Sequence, residues 1–114
     1  AALTQYFKYL LSVKDYEQIW NRYQELPSWM QEDERLYLAA VTAAVKLDKL
    51  DFVYEAFEKE YVYIREEETL ISDLWFEYHL RLEQKQSGDR VITLDEIKRL
   101  YPLPLRIDYR MGRD

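Results

Sequence analysis

The side chains with the greatest chemical potential in this sequence are one histidine and one acidic run. His79 is the only histidine among the 114 residues, and Glu83 lies one helical turn further on. A carboxylate so placed can orient an imidazole as a general base or a metal ligand. A metal site usually needs a second histidine or a cysteine, and the chain has no cysteine. The sequence therefore favours a structural histidine that packs beside Trp75 and Tyr78.

The acidic run comprises Glu66, Glu67 and Glu68, with Asp73 close behind. Carboxylates of this kind can bind calcium or act as acid and base. No glycine-containing calcium loop or paired spacing accompanies them, and acidic residues also favour the positive end of a helix dipole. We interpret the run as the start of a helix.

Other signatures of chemistry are missing from the sequence. Two glycines cannot form a glycine-rich phosphate loop, and the residues of nucleophile elbows and zinc sites are absent. We therefore predict that this chain is not an enzyme, and that it has no catalytic residue, no cofactor and no metal.

Composition narrows the class of protein. Hydrophobic residues make up 48% of the chain, which is enough for a folded core, and the low count of 2 Gly and 3 Pro favours helices over tight turns. The net charge of -6 opposes binding to nucleic acid, although aromatic rings could stack on bases. No window approaches the ~18 uncharged apolar residues of a membrane span. The lack of cysteine and of a visible signal segment favours a cytoplasmic location.

Hydrophobic residues recur at helical spacing in six stretches, which predicts an all-α chain of about five helices and a short C-terminal helix. We expect one domain, residues 1–104, built from hairpins 3–27 and 33–62 and capping helices 67–101. Residues 105–114 are predicted to form an extended tail.

Residues that commonly cap helices mark the ends of these stretches. The predicted N-caps are Asp15, Asp33, Asp51 and Thr93. Gly88 is expected to end the long fifth helix, because glycine adopts the left-handed conformation that closes many helices.

The first two hairpins repeat each other with a period of 34 residues. Shifting the chain by this amount pairs apolar residues with apolar residues, although identity is not preserved. The pairs are Phe7 with Val41, Leu10 with Ala44, Leu11 with Val45, Tyr16 with Leu50, Ile19 with Val53, Trp20 with Tyr54 and Tyr23 with Phe57.

This pattern resembles the tetratricopeptide repeat, in which helical hairpins of this period stack into a right-handed α-solenoid. The resemblance covers residues 3 to about 62. It departs from the family at the turn glycine, replaced by Lys14 and Asp48, and at a small residue of the second helix, replaced by Ile19 and Val53. It implies a non-catalytic interaction or scaffold module that binds a protein, a peptide or an upstream domain of the same chain.

A second resemblance concerns the C-terminal half. Segments 68–76, 101–104 and 107–111 are similar to the end of a bacterial family of unknown function, in which tetratricopeptide-like helices follow a β-rich region similar to carbohydrate-active enzymes. This resemblance implies an alternative function: an accessory C-terminal module of such an enzyme, with its catalytic residues upstream.

The resemblance to stacked hairpins also nominates contact residues, because the first helix of each hairpin lines a concave groove. The nominated groove residues are Lys8, Tyr9, Ser12, Arg35, Leu38 and Thr42. Trp29 and Phe76 fit no core stripe and are predicted exposed aromatic contacts. No repeat covers the first helix, so we expect a piece of a longer chain or a homo-oligomer formed through that open end.

Overall fold

The computed structural model describes residues 2–59, 61 and 68–104, with backbone alone for 68–70. This part of the chain is α-helical and contains no strand, which confirms the all-α prediction. The predicted tail, residues 105–114, lies outside the described residues. The helices are α1 (Ala2–Ser12), α2 (Tyr16–Glu25), α3 (Ser28–Gln31), α4 (Glu34–Lys46), α5 (Leu50–Ala56), α6 (Glu68–Ser87) and α7 (Leu94–Leu100).

The chain divides into two compact units, Ala1–Ala56 and Phe57–Asp114, and each is described by itself. None of the helices in the described ranges is long and apolar enough to cross a bilayer.

Three of the four predicted N-caps are present. The Asp15 carboxylate accepts a hydrogen bond from the third N–H of α2 at 3.3 Å, and Asp33 accepts two from the start of α4, at 3.0 and 3.1 Å. Thr93 forms a reciprocal capping box at the start of α7. The prediction for Asp51 is wrong, because α5 begins at Leu50 and Asp51 lies inside its first turn.

The core of the first unit surrounds α4. This helix contacts α1, α2, α3 and α5, and nine of its 13 residues are buried. Ala40, Ala43 and Ala44 are each 0% exposed, so their small side chains permit close approach of the neighbouring helices. Helix α4 is therefore the central helix of this unit, with buried residues on several of its sides.

The turns after α1 and α4 are the same structure, 34 residues apart. Lys14 has a φ of 60° and Asp48 a φ of 66°, in the left-handed region. The next N–H bonds to the carbonyl five residues earlier, at 2.9 Å after Lys14 and 2.8 Å after Asp48. The N–H of each left-handed residue bonds to the carbonyl three residues earlier at 3.1 Å. This pair of bonds is the Schellman motif, here formed without glycine.

Two boundaries differ from the sequence predictions. The predicted connector after Pro27 contains the short helix α3. Two hydrogen bonds link its last residue to α2. The Tyr23 hydroxyl donates to the Gln31 carbonyl at 2.7 Å, and the Gln31 side-chain amide donates to the Tyr23 carbonyl at 2.9 Å. The second helix of the second hairpin ends at Ala56 rather than near Val62.

The second unit is built on the packing of α7 against α6. The indole N–H of Trp75 donates to the Tyr101 carbonyl at 2.9 Å, and the Tyr101 hydroxyl donates to the Glu83 carboxylate at 2.7 Å. Both bonds join α6 to the end of α7. Gly88 follows α6 with a φ of 66°, as the sequence predicted.

Candidate functional site

The outer face of α1 carries the three groove residues nominated on that helix. Lys8, Tyr9 and Ser12 are exposed, with 59% of Tyr9 accessible to solvent. The opposite face holds Phe7 and Leu10, which are buried in the core. The Ser12 hydroxyl donates to the Tyr9 carbonyl at 2.6 Å, so its hydrogen is used within the helix. On this face of α1, the Lys8 ammonium group and the Tyr9 ring are therefore exposed to solvent.

The corresponding residues of α4 divide into two kinds. Arg35 is exposed, and Thr42 is half-buried with its hydroxyl donating to the Leu38 carbonyl at 2.8 Å. Leu38 is only 1% exposed and belongs to the core, which corrects its nomination as a groove residue. Helical spacing places Leu38 between the other two, but α4 has neighbours on several sides and so leaves only a narrow strip open.

Trp29 on α3 is the most exposed tryptophan of the first unit, at 74%. It therefore lies at the surface, as predicted. Spacing did not identify two further exposed apolar residues of this unit, Val13 at 51% and Tyr54 at 53%. The 34-residue repeat pairs Tyr54 with Trp20, and this pairing of apolar residues gives no sign that Tyr54 is exposed.

Phe76 lines a cleft between α6 and α7. The cleft has a volume of about 470 Å³. Its apolar lining residues are Phe76, Leu80 and Leu94, and the Nζ of Lys98 lies 5.5 Å from the centre of the Phe76 ring. The other lining residues are polar or charged: Asp73, Glu77, Arg81 and Gln84. The sequence indicated Phe76 but gave no sign of the α7 wall.

Two of the charged residues that line this cleft form an ion pair with each other. Arg81 donates to the Glu77 carboxylate at 3.1 Å, an ion pair across one helical turn of α6. Asp73 also lies on the α6 wall, and Lys98 lies on the α7 wall. The two walls therefore carry opposite charges outside the Glu77–Arg81 pair.

His79 lies in an aromatic cluster of the second unit. Its ring stacks on Tyr101, with centroids 4.1 Å apart and planes at 8°, and meets Trp75 and Tyr78 edge-on at 4.4 and 5.0 Å. Both imidazole nitrogens are buried and have no hydrogen-bond partner within the described chain. Burial lowers the pKa of His79, and the negative charge of Glu83 opposes this shift. Glu83 accepts a hydrogen bond from Tyr101 and makes none to the imidazole, so it does not orient the ring in this way.

The candidate metal ligands do not form a metal site among the residues whose side chains are described. Within residues 2–59, 61 and 71–104, no group of three or more His, Asp and Glu side chains is arranged to hold a metal ion. Glu66, Glu67 and the side chain of Glu68 lie outside the described residues.

Comparison with protein-family models, curated proteins and solved structures finds no match to this chain.

Proposed function

We propose that this chain is a non-catalytic interaction module built of tetratricopeptide-like hairpins, and that it binds a protein segment on the outer faces of α1 and α4. The single observation that carries the proposal is the repeated turn. The same left-handed closure without glycine occurs at Lys14 and Asp48, with equivalent hydrogen bonds. Two hairpins that repeat both their apolar pattern and their turn geometry are typical of helical repeats.

The packing of the first unit supports the same proposal. The helix that follows the first hairpin, α4, contacts both members of that hairpin, α1 and α2. Such a contact is expected where each hairpin buries its apolar side on the next one. The paired positions Phe7 and Val41, and Ile19 and Val53, are all buried. In addition, α6 begins 34 residues after α4.

The chemistry of the exposed residues supports one kind of partner. Lys8 and Arg35 contribute positive charge, and the Tyr9 ring contributes a rigid amphipathic surface. Tyrosine and arginine are common among the residues that dominate binding energy at interfaces. We therefore propose a partner segment, on another protein or on a sister domain of the same polypeptide, that presents acidic side chains beside an apolar one.

Site-specific photo-cross-linking in extract of the source cells tests this proposal. A photoreactive phenylalanine analogue replaces Tyr9 in one protein and Tyr54 in a matched control, because both tyrosines are about equally exposed, at 59% and 53%. We expect adducts with a defined partner at position 9 and few at position 54. The partner is then purified for titration calorimetry.

In that titration, Tyr9→Ala is expected to weaken binding by about 2 kcal/mol, the usual effect of removing a dominant interface residue. The double change Lys8→Ala and Arg35→Ala should also weaken binding and should reduce its dependence on salt. Adducts no more frequent at position 9 than at position 54, or affinity unchanged in all these variants, would contradict the proposal.

A further inference from the structure

The second unit carries an apolar surface that the proposed function does not use. On α6, Ile71, Leu74 and Tyr78 are buried and share one side of the helix. Phe76 and Leu80, which are half-buried, lie on another side and face the cleft. A helix that is apolar on several sides is normally covered on all of them. Within the described chain, α7 covers only part of the cleft side.

The dimensions of the cleft fit a helix. Its lining residues on α6 run from Asp73 to Gln84 at steps of three and four residues, a stripe about 16 Å long or roughly three helical turns. An extended segment would place unpaired backbone N–H and C=O groups against the apolar lining residues, which is unfavourable. A helix satisfies its own backbone and presents only side chains.

The first unit shows how the space beside two packed helices is filled by a third helix. There α1 and α2 pack against each other, and α4 contacts both of them. In the second unit α6 and α7 also pack against each other, and among residues 71–104 the cleft between them is lined by these two helices alone.

Charge on the two walls specifies the occupant further. Asp73 lies on the α6 wall, whereas Lys98 lies on the α7 wall, above the Phe76 ring. Phe76 and Asp73 are one turn apart on α6, so these two charged residues lie near the same end of the cleft. A helix between them would carry a basic residue on one flank and an acidic residue on the other.

We propose that the cleft between α6 and α7 binds an amphipathic α-helix of a partner protein. This helix has apolar residues at steps of three and four, and at one end a basic residue facing Asp73 and an acidic residue facing Lys98. The proposal concerns a surface separate from that of α1 and α4 and does not depend on it.

Two synthetic peptides test the proposal on the full chain. Each is a cross-linked helix of about four turns with leucines along one face and one lysine and one glutamate flanking that face at one end. The peptides differ only in which flank carries which charge. Reversing a bound helix moves the charged end to the other end of the cleft, so reversal cannot make the two peptides equivalent. Binding is measured by fluorescence anisotropy.

We expect one peptide to bind the natural chain more tightly than the other, by about tenfold for a well-placed charge pair. The double reversal Asp73→Lys and Lys98→Asp should invert that preference. Leu94→Ser should weaken binding of the preferred peptide, whereas Leu100→Ser should not. The two leucines are matched, because both belong to α7 and both are exposed, at 45% and 60%, but only Leu94 lines the cleft.

Circular dichroism confirms that each variant is folded before its binding is compared. The proposal fails if neither peptide saturates at about 1 mM, equivalent to about -4 kcal/mol. It also fails if the double reversal leaves the preference unchanged, or if both leucine changes have the same effect. A concentration-dependent dimer that Leu94→Ser abolishes would identify a second copy as the occupant and would equally overturn it.

Discussion

Replacement of Lys14 by glycine should stabilise the first unit, because Lys14 occupies a backbone conformation that suits glycine. Its φ is 60°, and the left-handed region costs an L-residue about 1–2 kcal/mol. Glycine removes this cost but loses about 0.5–1 kcal/mol through the greater entropy of the unfolded chain. We therefore expect Lys14→Gly to increase the free energy of unfolding by about 0.75 kcal/mol, the difference between the midpoints of these two ranges. Asp48→Gly should increase the free energy of unfolding by a smaller amount, because aspartate tolerates the left-handed region better than lysine does.

Urea denaturation followed by circular dichroism and by tryptophan fluorescence measures this change, and coincident transitions check that unfolding is two-state. Lys8→Gly is the matched control, since Lys8 is an exposed lysine inside α1. There glycine should destabilise the protein by about 1 kcal/mol. The reasoning is refuted if Lys14→Gly destabilises the protein as much as Lys8→Gly does.

Three further changes test other parts of the fold. Gly88→Ala should lower stability by about 1 kcal/mol in thermal melts, because Gly88 has a φ of 66°. The added methyl group meets nothing within 4 Å, so the loss arises from the backbone conformation alone. His79→Phe should flatten the pH dependence of stability. The pKa of His79 lies below its unfolded value of 6.5, so the unfolded chain binds more protons and the natural protein loses stability as pH falls through 6.5. Thermal melts of both proteins at a series of pH values measure this effect, and parallel profiles would contradict it. Asp33→Ala removes the acceptor of two N–H groups at the start of α4 and should cost about 1 kcal/mol in urea denaturation, and an unchanged midpoint would contradict the capping role.

The positions of the helices could be predicted because they depend on local chemistry. Apolar spacing and cap residues lie close together in the chain, and Asp15, Asp33 and Thr93 cap helices as their types and positions indicate. The short helix α3 has too few residues for a periodic pattern, and its last residue is held by hydrogen bonds to α2. Its presence therefore depends on tertiary contacts that spacing does not reveal.

The candidate surfaces were predictable only in part, because exposure depends on what each helix meets. Spacing alone puts Leu38 on the same strip as Arg35 and Thr42, yet Leu38 is buried. Tyr54 has the opposite error: it continues an apolar stripe of the repeat but is 53% exposed. Two equivalent positions of a sequence repeat are equally buried only where the helices that surround them are also equivalent.

The turns at Lys14 and Asp48 indicate how the sequence can keep a repeat without keeping its residues. Glycine at these positions would be favoured by the backbone, but the hydrogen bonds of the Schellman motif involve main-chain groups, which every residue other than proline can supply. A side chain there costs only backbone strain of about 1–2 kcal/mol. Because apolar packing along two hairpins can exceed that cost several times over, the turn forms without glycine. The geometry of a turn is thus a better marker of repetition in this chain than the identity of its residues.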